Sequence, residues 1–505
     1  MKTALVGIVR NEAHDILPWL GWHALLGVDT FIIFDDGSDD GTLELLKAAS
    51  AQHDIRIFHI DDLQETPWKI QQPVGERQRI VYLDVLTTLK DEFDWIGFID
   101  TDEYLALHRH NNLKNFLRSF DHTVGAVGIN WCIYGSSGHI TTPDLPPFHA
   151  FTRHSALESP INRHVKTFIR PQLWNGEWIN PHYFPLSEGR YVDPQGRDIT
   201  WSAVPGITDT LPDWNTARIM HYQVRSLEHF IERARRRRDL RLDLSYFDTE
   251  GDNECQDSRH QGRTPLVLDW MRGAVFQGVA QALDALPSFQ EDDASPISMA
   301  KLPGEHNLSV SRLIPWNDSK LEIHGSRACA QDLGKNNTAL FILQSNSAPH
   351  QGFIFSLDQK NNILDFSILA DSRLTSMLSY DIILTNQVGH IALRQTGGMS
   401  RRRAFLTTVP GEPLISDRSD INLWETFRLH TTQHAPDGRE WYDLPFIRLA
   451  DNVMRHPVSL SVITQLFKKD QLATVRLLPL LYAALPPVEK KLLRAQLGAL
   501  VPYVL

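Results

Sequence analysis

Cysteine is scarce in this chain: of 505 residues only Cys132, Cys255 and Cys329 carry a thiol. Three widely separated thiols support neither a disulfide framework nor a cysteine zinc site, and a reducing cytosol is the simplest compartment. Long hydrophobic runs are missing too, none approaching the ~20 residues of a membrane-spanning helix. Met1-Lys2 leads straight into the strand-like Ala4-Leu5-Val6-Gly7-Ile8-Val9, so no secretory signal is expected. The expected location is cytoplasmic, with room for peripheral contact at the inner face of a membrane. Basic charge is in deficit: 50 Lys and Arg against 61 Asp and Glu leave a formal net charge of −11. No long basic block offsets it, which argues against nucleic acid as a partner. There is also no internal repeat, so solenoids and propellers are not expected.

What is present is an ordinary globular composition, 42% hydrophobic and 22% charged, in a chain too long for one core. Residues 4–9 predict a strand, followed by Arg10-Asn11-Glu12 and a helix with Ile16, Trp19, Leu20 and Leu26 at helical spacing. A second strand, 30–34, runs into Asp35-Asp36-Gly37-Ser38-Asp39-Asp40-Gly41-Thr42, where Ser38 or Asp39 is the expected cap of the next helix. A third strand at 55–60 and a helix from about 76 to 89 continue the alternation. Such a rhythm predicts the α/β class, a parallel sheet with helices on its faces.

After Leu105 the rhythm changes. A strand at 124–129 feeds a loop from Asn130 to His139 rich in glycine, serine and aromatics, which suits a close-fitting loop over a ligand and equally an ordinary turn. Ser226 is the expected cap of a helix whose apolar face is Leu227, Phe230, Ile231 and Ala234; Arg233 and Arg235 to Arg238 read as its solvated face. A Pro, Ser, Asp and Glu-rich stretch predicts a linker at 286–303, closing a first domain of residues 1–285. Short β-like runs with polar turns then predict a β-rich, sandwich-like domain over 304–450, an antiparallel sandwich or barrel, before a helical tail at 451–505. That β-rich domain suits either carbohydrate binding or dimerisation. Its Trp316, Trp424 and Trp441 fit sugar stacking or, as isolated tryptophans more often do, a core.

The strongest feature is the run Trp95-Ile96-Gly97-Phe98-Ile99, which ends abruptly in Asp100, Asp102 and Glu103. In open α/β sheets ligands bind beyond the carboxyl ends of the strands. Asp100 and Asp102, two apart, share a side of an extended backbone, and hard carboxylates suit Mg²⁺ or Mn²⁺, which also hold phosphates. An isolated Asp-X-Asp would equally cap a strand; the second acidic strand end at 35–42 gives this one its weight.

Taken in order, these pieces resemble the nucleotide-sugar glycosyltransferases of the GT-A fold, of the family 2 and family 92 type. The matching motifs over residues 1–240 are Val9-Arg10-Asn11-Glu12, Trp19 and His23, the DDGSDDGT turn, Gln78 with Tyr82 and Asp84, and DTDEYL. They continue through the tryptophan-to-GSSGH loop, Val165-Lys166, Pro181-His182 and His221-Tyr222 with Arg225-Ser226. The resemblance implies a Rossmann-like mixed sheet with helices on both faces and an enzyme moving a hexose from a nucleotide-sugar donor, a UDP-sugar, to a glycan or lipid-linked saccharide acceptor, with inversion. By resemblance, Asn11, Glu12, Asp36, Ser38, Gln78, Lys166 and Arg225 would hold the nucleotide sugar, and Asp100, Asp102 and His221 would hold Mn²⁺ or Mg²⁺. Inversion needs a base for the acceptor hydroxyl. The Glu-Asp base motif of many family 2 enzymes is not displayed, which leaves His139, Glu158, His182 and Asp193 as candidates. A nucleotidyltransferase on a related sheet and a catalytically silent glycan-binding protein are the competing readings.

Overall fold

The computed structural model describes residues 1–63, 74–236, 247, 252–286, 302, 304–324, 327–330, 339–358, 360–399 and 404–505. The chain divides into two compact units, Met1–Met271 and Arg272–Leu505. The division falls inside a helix near the end of the expected first domain; the expected linker at 286–303 lies almost wholly outside the described residues.

Unit one runs β1 (Thr3–Val9), α1 (Ile16–Leu25), β2 (Thr30–Asp35), α2 (Thr42–Ser50), β3 (Asp54–His59), α3 (Val74–Thr88), β4 (Trp95–Phe98), β5 (Glu103–Leu107) and α4 (Leu113–Arg118). It continues through β6 (Val124–Ile133), α5 (Pro147–Ala150), β7 (Arg153–His154), β8 (Val165–Ile169), β9 (Arg190–Val192), β10 (Ala217–His221), α6 (Leu227–Arg236), β11 (Cys255–Gln256) and the start of α7 (Thr264–Asp284). The main sheet is ordered β3-β2-β1-β4-β8-β6-β10-β5, with β9 beside β6. The parallel expectation holds for β3, β2, β1 and β4, but β8 enters antiparallel between β4 and β6, so the sheet is mixed. Gly97 permits that entry, because a Cβ there would stand 2.5 Å from the Phe168 ring.

The acidic segment Ile99–Asp102 is all that joins β4 to β5, although β8, β6 and β10 lie between those strands. Five Cα steps of an extended chain reach ~17 Å, whereas four flat inter-strand steps span ~19 Å. The sheet therefore curls, and the acids sit on its concave rim. Helix α1 fastens this rim from behind. The Trp19 indole N–H donates to the carbonyls of Asp100 and Glu103 at 3.0 and 2.9 Å, and that of Trp22 to Leu105 O at 2.8 Å. His23 accepts from Leu105 N–H at 3.2 Å through Nε2 and turns Nδ1 to Trp19 O at 2.9 Å, which makes it the neutral Nδ1–H tautomer.

On the same rim the first two βα loops are laced together. Asn11, at φ 59°, donates its N–H to Ser38 Oγ at 3.0 Å and accepts from Asp39 N–H at 2.9 Å; Glu12 N–H donates to Thr42 Oγ1 at 2.8 Å. The Ser38 hydroxyl and the Asp39 N–H are thus committed across the loop, and neither residue caps α2, whose N-cap is Gly41 at φ 97°.

Unit two takes the rest of α7, then β12 (Leu308–Pro315), β13 (Glu322–His324), β14 (Arg327–Cys329), β15 (Leu340–Ser345), β16 (Ala348–Ser356) and β17 (Leu378–Leu384). It ends with β18 (Ile391–Gln395), β19 (Phe405–Thr407), β20 (Ile415–Arg418), β21 (Thr426–Thr431), α8 (Pro445–Met454), α9 (Leu460–Lys469), α10 (Gln471–Ala484), α11 (Pro487–Leu497) and α12 (Val501–Val504). The sheet is antiparallel in the order β17-β16-β15-β12-β21-β18, and β17 also pairs with β18. That last pairing closes a six-stranded barrel, one of the two β-rich forms the sequence predicts: closure removes the unpaired edges that two open sheets would expose. Leu313, Ile342, Ile354, Leu378, Leu393 and Phe427 are among its core residues. Trp441 is core as well, edge-on to Phe341 and donating to Thr432 Oγ1 at 3.0 Å. Among the described residues no helix is long and apolar enough to cross a membrane.

Candidate active site

The curled rim of unit one encloses a cavity of about 570 Å³. Arg10, Asn11 and Glu12 enter it from the loop after β1, Asp36 from the end of β2, and Arg77 and Gln78 from α3. Asp100, Thr101 and Asp102 form its floor; Trp131, Lys166, Pro181, His182 and His221 stand opposite; Arg225, His229 and Arg233 close it from α6 and the turn before it.

Strand register explains the floor. His221 ends β10 directly opposite Glu103 on β5, which brings its Nε2 to 3.6 Å from Asp102 Oδ2 and its Nδ1 to 3.9 Å from Glu103 Oε1. Lys166, on the inserted strand β8, is fully buried and places Nζ 2.7 Å from Asp100 Oδ2 and 3.2 Å from Glu103 Oε2. Glu103 Oε2 also accepts from Asp100 N–H at 3.1 Å. Arg233 approaches Asp102 Oδ2 at 3.5 Å, and Arg77 pairs with Asp36. Arg225, held at φ 57°, pairs with the buried Asp15, while its Nε has no hydrogen-bond partner among the described residues.

These neighbours set the charges. Burial alone would raise the Asp102 carboxyl, but His221, Arg233 and Arg225 outweigh it and hold the group well below the usual carboxylate range. Burial dominates at Glu103 and pushes it up to about 7 despite Lys166. Burial opposes the charge on Lys166, yet Asp100 and Glu103 hold its pKa well above the ordinary lysine value. His182 is pushed down to about 3 by burial and then Lys166; its Nδ1 faces Val165 O at 2.9 Å, so in the neutral ring Nε2 keeps its lone pair.

Of the residues expected at a nucleotide sugar, Asn11, Glu12, Asp36, Gln78, Lys166 and Arg225 all line the cavity. Ser38 does not; its hydroxyl lies behind the wall, bound to Asn11 N–H. Asp100, Asp102 and His221 line it together, but among the described residues no three His, Cys, Asp or Glu side chains form a group that could hold a metal ion by themselves. Of the base candidates only His182 is on the wall. His139 turns Nε2 to Ala150 O at 3.1 Å, Glu158 is exposed elsewhere, and Asp193 pairs with Arg197 at 2.7 Å within its own turn.

Glu103, Arg77, Trp131, His229 and Arg233 are the residues that motif reading did not single out as site residues. Arg233 was expected on a solvated face; instead it turns inward, because His229 and Arg233, four residues apart, share one face of α6, and Arg225 joins them from the turn before the helix. That spacing is visible in the sequence.

Outside the cavity, burial pushes His23 and His260 down to about 3 and His108 to about 4, with Arg263 acting further on His23 and Arg218 on the other two. All three are neutral in the fold and regain an ordinary value near 6.5 when it opens, so the unfolded chain binds more protons below that pH. His23 and His260 then each remove up to ~1.4 kcal/mol of stability per pH unit as pH falls from 6.5 toward 4, and the partly exposed His108 less. Glu103, raised to about 7 by burial, and His14, which burial lowers but Asp15 raises above its ordinary value, work in the opposite sense, but the three rings act together with His182 and His229, both also pushed down to about 3 by burial. The denaturant midpoint of the unit-one transition is expected to fall between pH 7 and 5; an unchanged or higher midpoint would show that these rings are not buried neutral.

The glycosyltransferase family 92 model matches residues 7–235. A glycosyltransferase family 92 protein of Arabidopsis thaliana is 32% identical over 190 residues, covering 35% of this chain and 30% of that protein. One of Oryza sativa subsp. japonica is 28% identical over 191 residues, covering 37% and 30%. The chain thus spans about a third of the length of these curated relatives. Among solved structures, S. aureus TarS 1-349 in complex with UDP-GlcNAc aligns with 57% of this chain and 82% of its own at 14% identity and a TM-score of 0.25. The part of the chain that builds the cleft, residues 7–235, is similar to the glycosyltransferases of family 92.

Proposed function

We propose that this chain transfers a hexose from a nucleotide sugar, a UDP-sugar, to a hydroxyl of a glycan or lipid-linked saccharide, with inversion at the anomeric carbon and with Mn²⁺ or Mg²⁺ bound. The observation that carries this reading is the meeting of a strand-end acid pair with Lys166, Arg225 and Arg233 around one cavity. Such a wall suits a donor whose diphosphate gathers negative charge as its bond to the sugar breaks.

Asp100, Asp102 and His221 would hold the cation. Two or three protein donors are a fitting set for Mg²⁺, which usually completes its shell with water and substrate phosphate. When bound, it neutralises diphosphate charge. Arg225, with Nε lacking a partner among the described residues, and Arg233 supply further donors at the same wall. Asp36, anchored by Arg77, and Gln78 face the nucleoside end of the donor.

In the reaction the acceptor hydroxyl oxygen bonds to the anomeric carbon. The bond from that carbon to the diphosphate oxygen breaks, and its electron pair leaves with the nucleoside diphosphate. His182 Nε2 accepts a hydrogen bond from the hydroxyl and takes its proton as the new bond forms. Burial and then Lys166 keep the ring neutral in the resting site, so its Nε2 lone pair is available for that proton.

The expected result is release of UDP from a UDP-hexose when acceptor and Mn²⁺ are both present, falling to background on full chelation. Release of pyrophosphate instead would favour the nucleotidyltransferase reading, and turnover surviving chelation would remove the cation from it.

A further inference from the structure

Unit two carries a second cavity, of about 290 Å³, lined by Arg312, Lys320, Glu322, Phe341, Thr432 and His434 among others. Its walls come from the barrel itself. Arg312 on β12 lies opposite Phe341 on β15 and opposite His430 on β21, so side chains from neighbouring strands and from the segment after β21 face one space. Glu322, at the start of β13, is 6% exposed, and its Oε2 is buried with no hydrogen-bond partner among the described residues. A buried carboxylate oxygen without a donor is costly, and a ligand that brings one relieves that cost.

The rest of the lining narrows the ligand. Thr432 Oγ1 already accepts from the Trp441 indole at 3.0 Å, so its own proton remains to donate. Arg312 and Lys320 donate only. The occupant must give a hydrogen bond to Glu322 and accept from hydroxyl and cationic donors within a small volume. Adjacent sugar hydroxyls do both, since each is donor and acceptor. A bare cation meets Arg312 and Lys320, and a phosphate meets the Glu322 charge, so neither suits the whole lining. The volume lies at the small end of the ~300–1,000 Å³ range of ligand pockets, enough for a terminal glycosyl unit, with Phe341 as an apolar wall for a C–H face.

We propose that this cavity binds a glycosyl unit of a saccharide, through Glu322 and Arg312, separately from the cleft of unit one. The test uses the full chain on an array of glucose-, galactose- and mannose-terminated oligosaccharides, with affinities then measured by calorimetry for those that bind. Glu322→Ala and Arg312→Ala are expected to weaken binding at least ~10-fold, the loss of one charge-assisted hydrogen bond. Glu322→Gln, which keeps the shape, is expected to weaken it less with an unchanged unfolding midpoint. Asp102→Asn, in the other unit, is expected to bind as the parent does. No saccharide bound, equal binding by Glu322→Ala and the parent, or full displacement by inorganic phosphate would each overturn the assignment. UDP release in the absence of this binding would leave the transferase reading standing while this site falls.

Discussion

Asp102→Asn is expected to lower turnover of a nucleotide sugar by about 10²–10³-fold, the range seen when one preorganised electrostatic contact to a developing charge is removed, while unit one stays folded. The substitution deletes a charge but almost no volume. The main-chain carbonyl of Asp102 still accepts from Tyr222 N–H at 2.8 Å, so the bridge between β4 and β5 keeps its course. What changes is the wall: His221 at 3.6 Å and Arg233 at 3.5 Å lose the carboxylate they face. The proposed cation loses one of its ligands while the freed positive charge still attracts a diphosphate, so the loss is expected in kcat and in a higher Mn²⁺ requirement, with a smaller rise in KM. Initial rates of UDP release against donor concentration, with circular dichroism as the folding control, check both parts. Turnover within about threefold of the parent would show that Asp102 is outside the chemistry.

The same residues show how far local pattern carries. An apolar run that stops in acid marks a strand end facing a ligand whatever the remainder of the sheet does, so Asp36, Asp100 and Asp102 were legible and all line the cavity. Ser38 was not, because the DDGSDDGT turn does not disclose that its hydroxyl is spent on a neighbouring loop; that depends on Asn11 at φ 59° reaching across 27 positions. Likewise β8 gives no sign of its direction. Its antiparallel entry beside Gly97 is a tertiary outcome, and it carries Lys166 to the acids.

Three of the four base candidates lie away from the cavity for a related reason. His139, Glu158 and Asp193 sit in polar or family-like surroundings, but a titratable side chain in a turn often serves that turn, as Asp193 does for Arg197. Arg233 departs the other way: a cluster of arginines on a helix is normally solvated, but its four-residue spacing from His229 puts it on the cavity side of α6 here. In unit two, strand content was legible and closure was not, since closure rests on one pairing, β17 with β18, between residues whose spacing fits a sandwich equally well.

Glu103→Ala is expected to destabilise unit one by about 3–5 kcal/mol, the cost of removing one partner from a buried ion pair. Glu103 is fully buried, and it is the group that lets Lys166 be buried beside the cleft. Truncation leaves Lys166 with Asp100 alone and strips the acceptor from Asp100 N–H, so the segment carrying both cleft acids loses its inner anchor. Glu103→Gln keeps volume and an acceptor for that N–H but loses the charge facing Lys166, and about 1–3 kcal/mol is expected. At ~2–4 °C per kcal/mol for a unit of this size, calorimetry of the full chain would see the unit-one transition fall by roughly 6–20 °C for Ala and less for Gln. Hydrogen exchange is expected to rise first in peptides spanning 95–107 and 165–169, where Glu103 and Lys166 join β4, β5 and β8. A Glu103→Ala protein melting with the parent would mean that Lys166 is held by Asp100 alone, and the acid pair would then be free to reorganise around a cation without the support argued here.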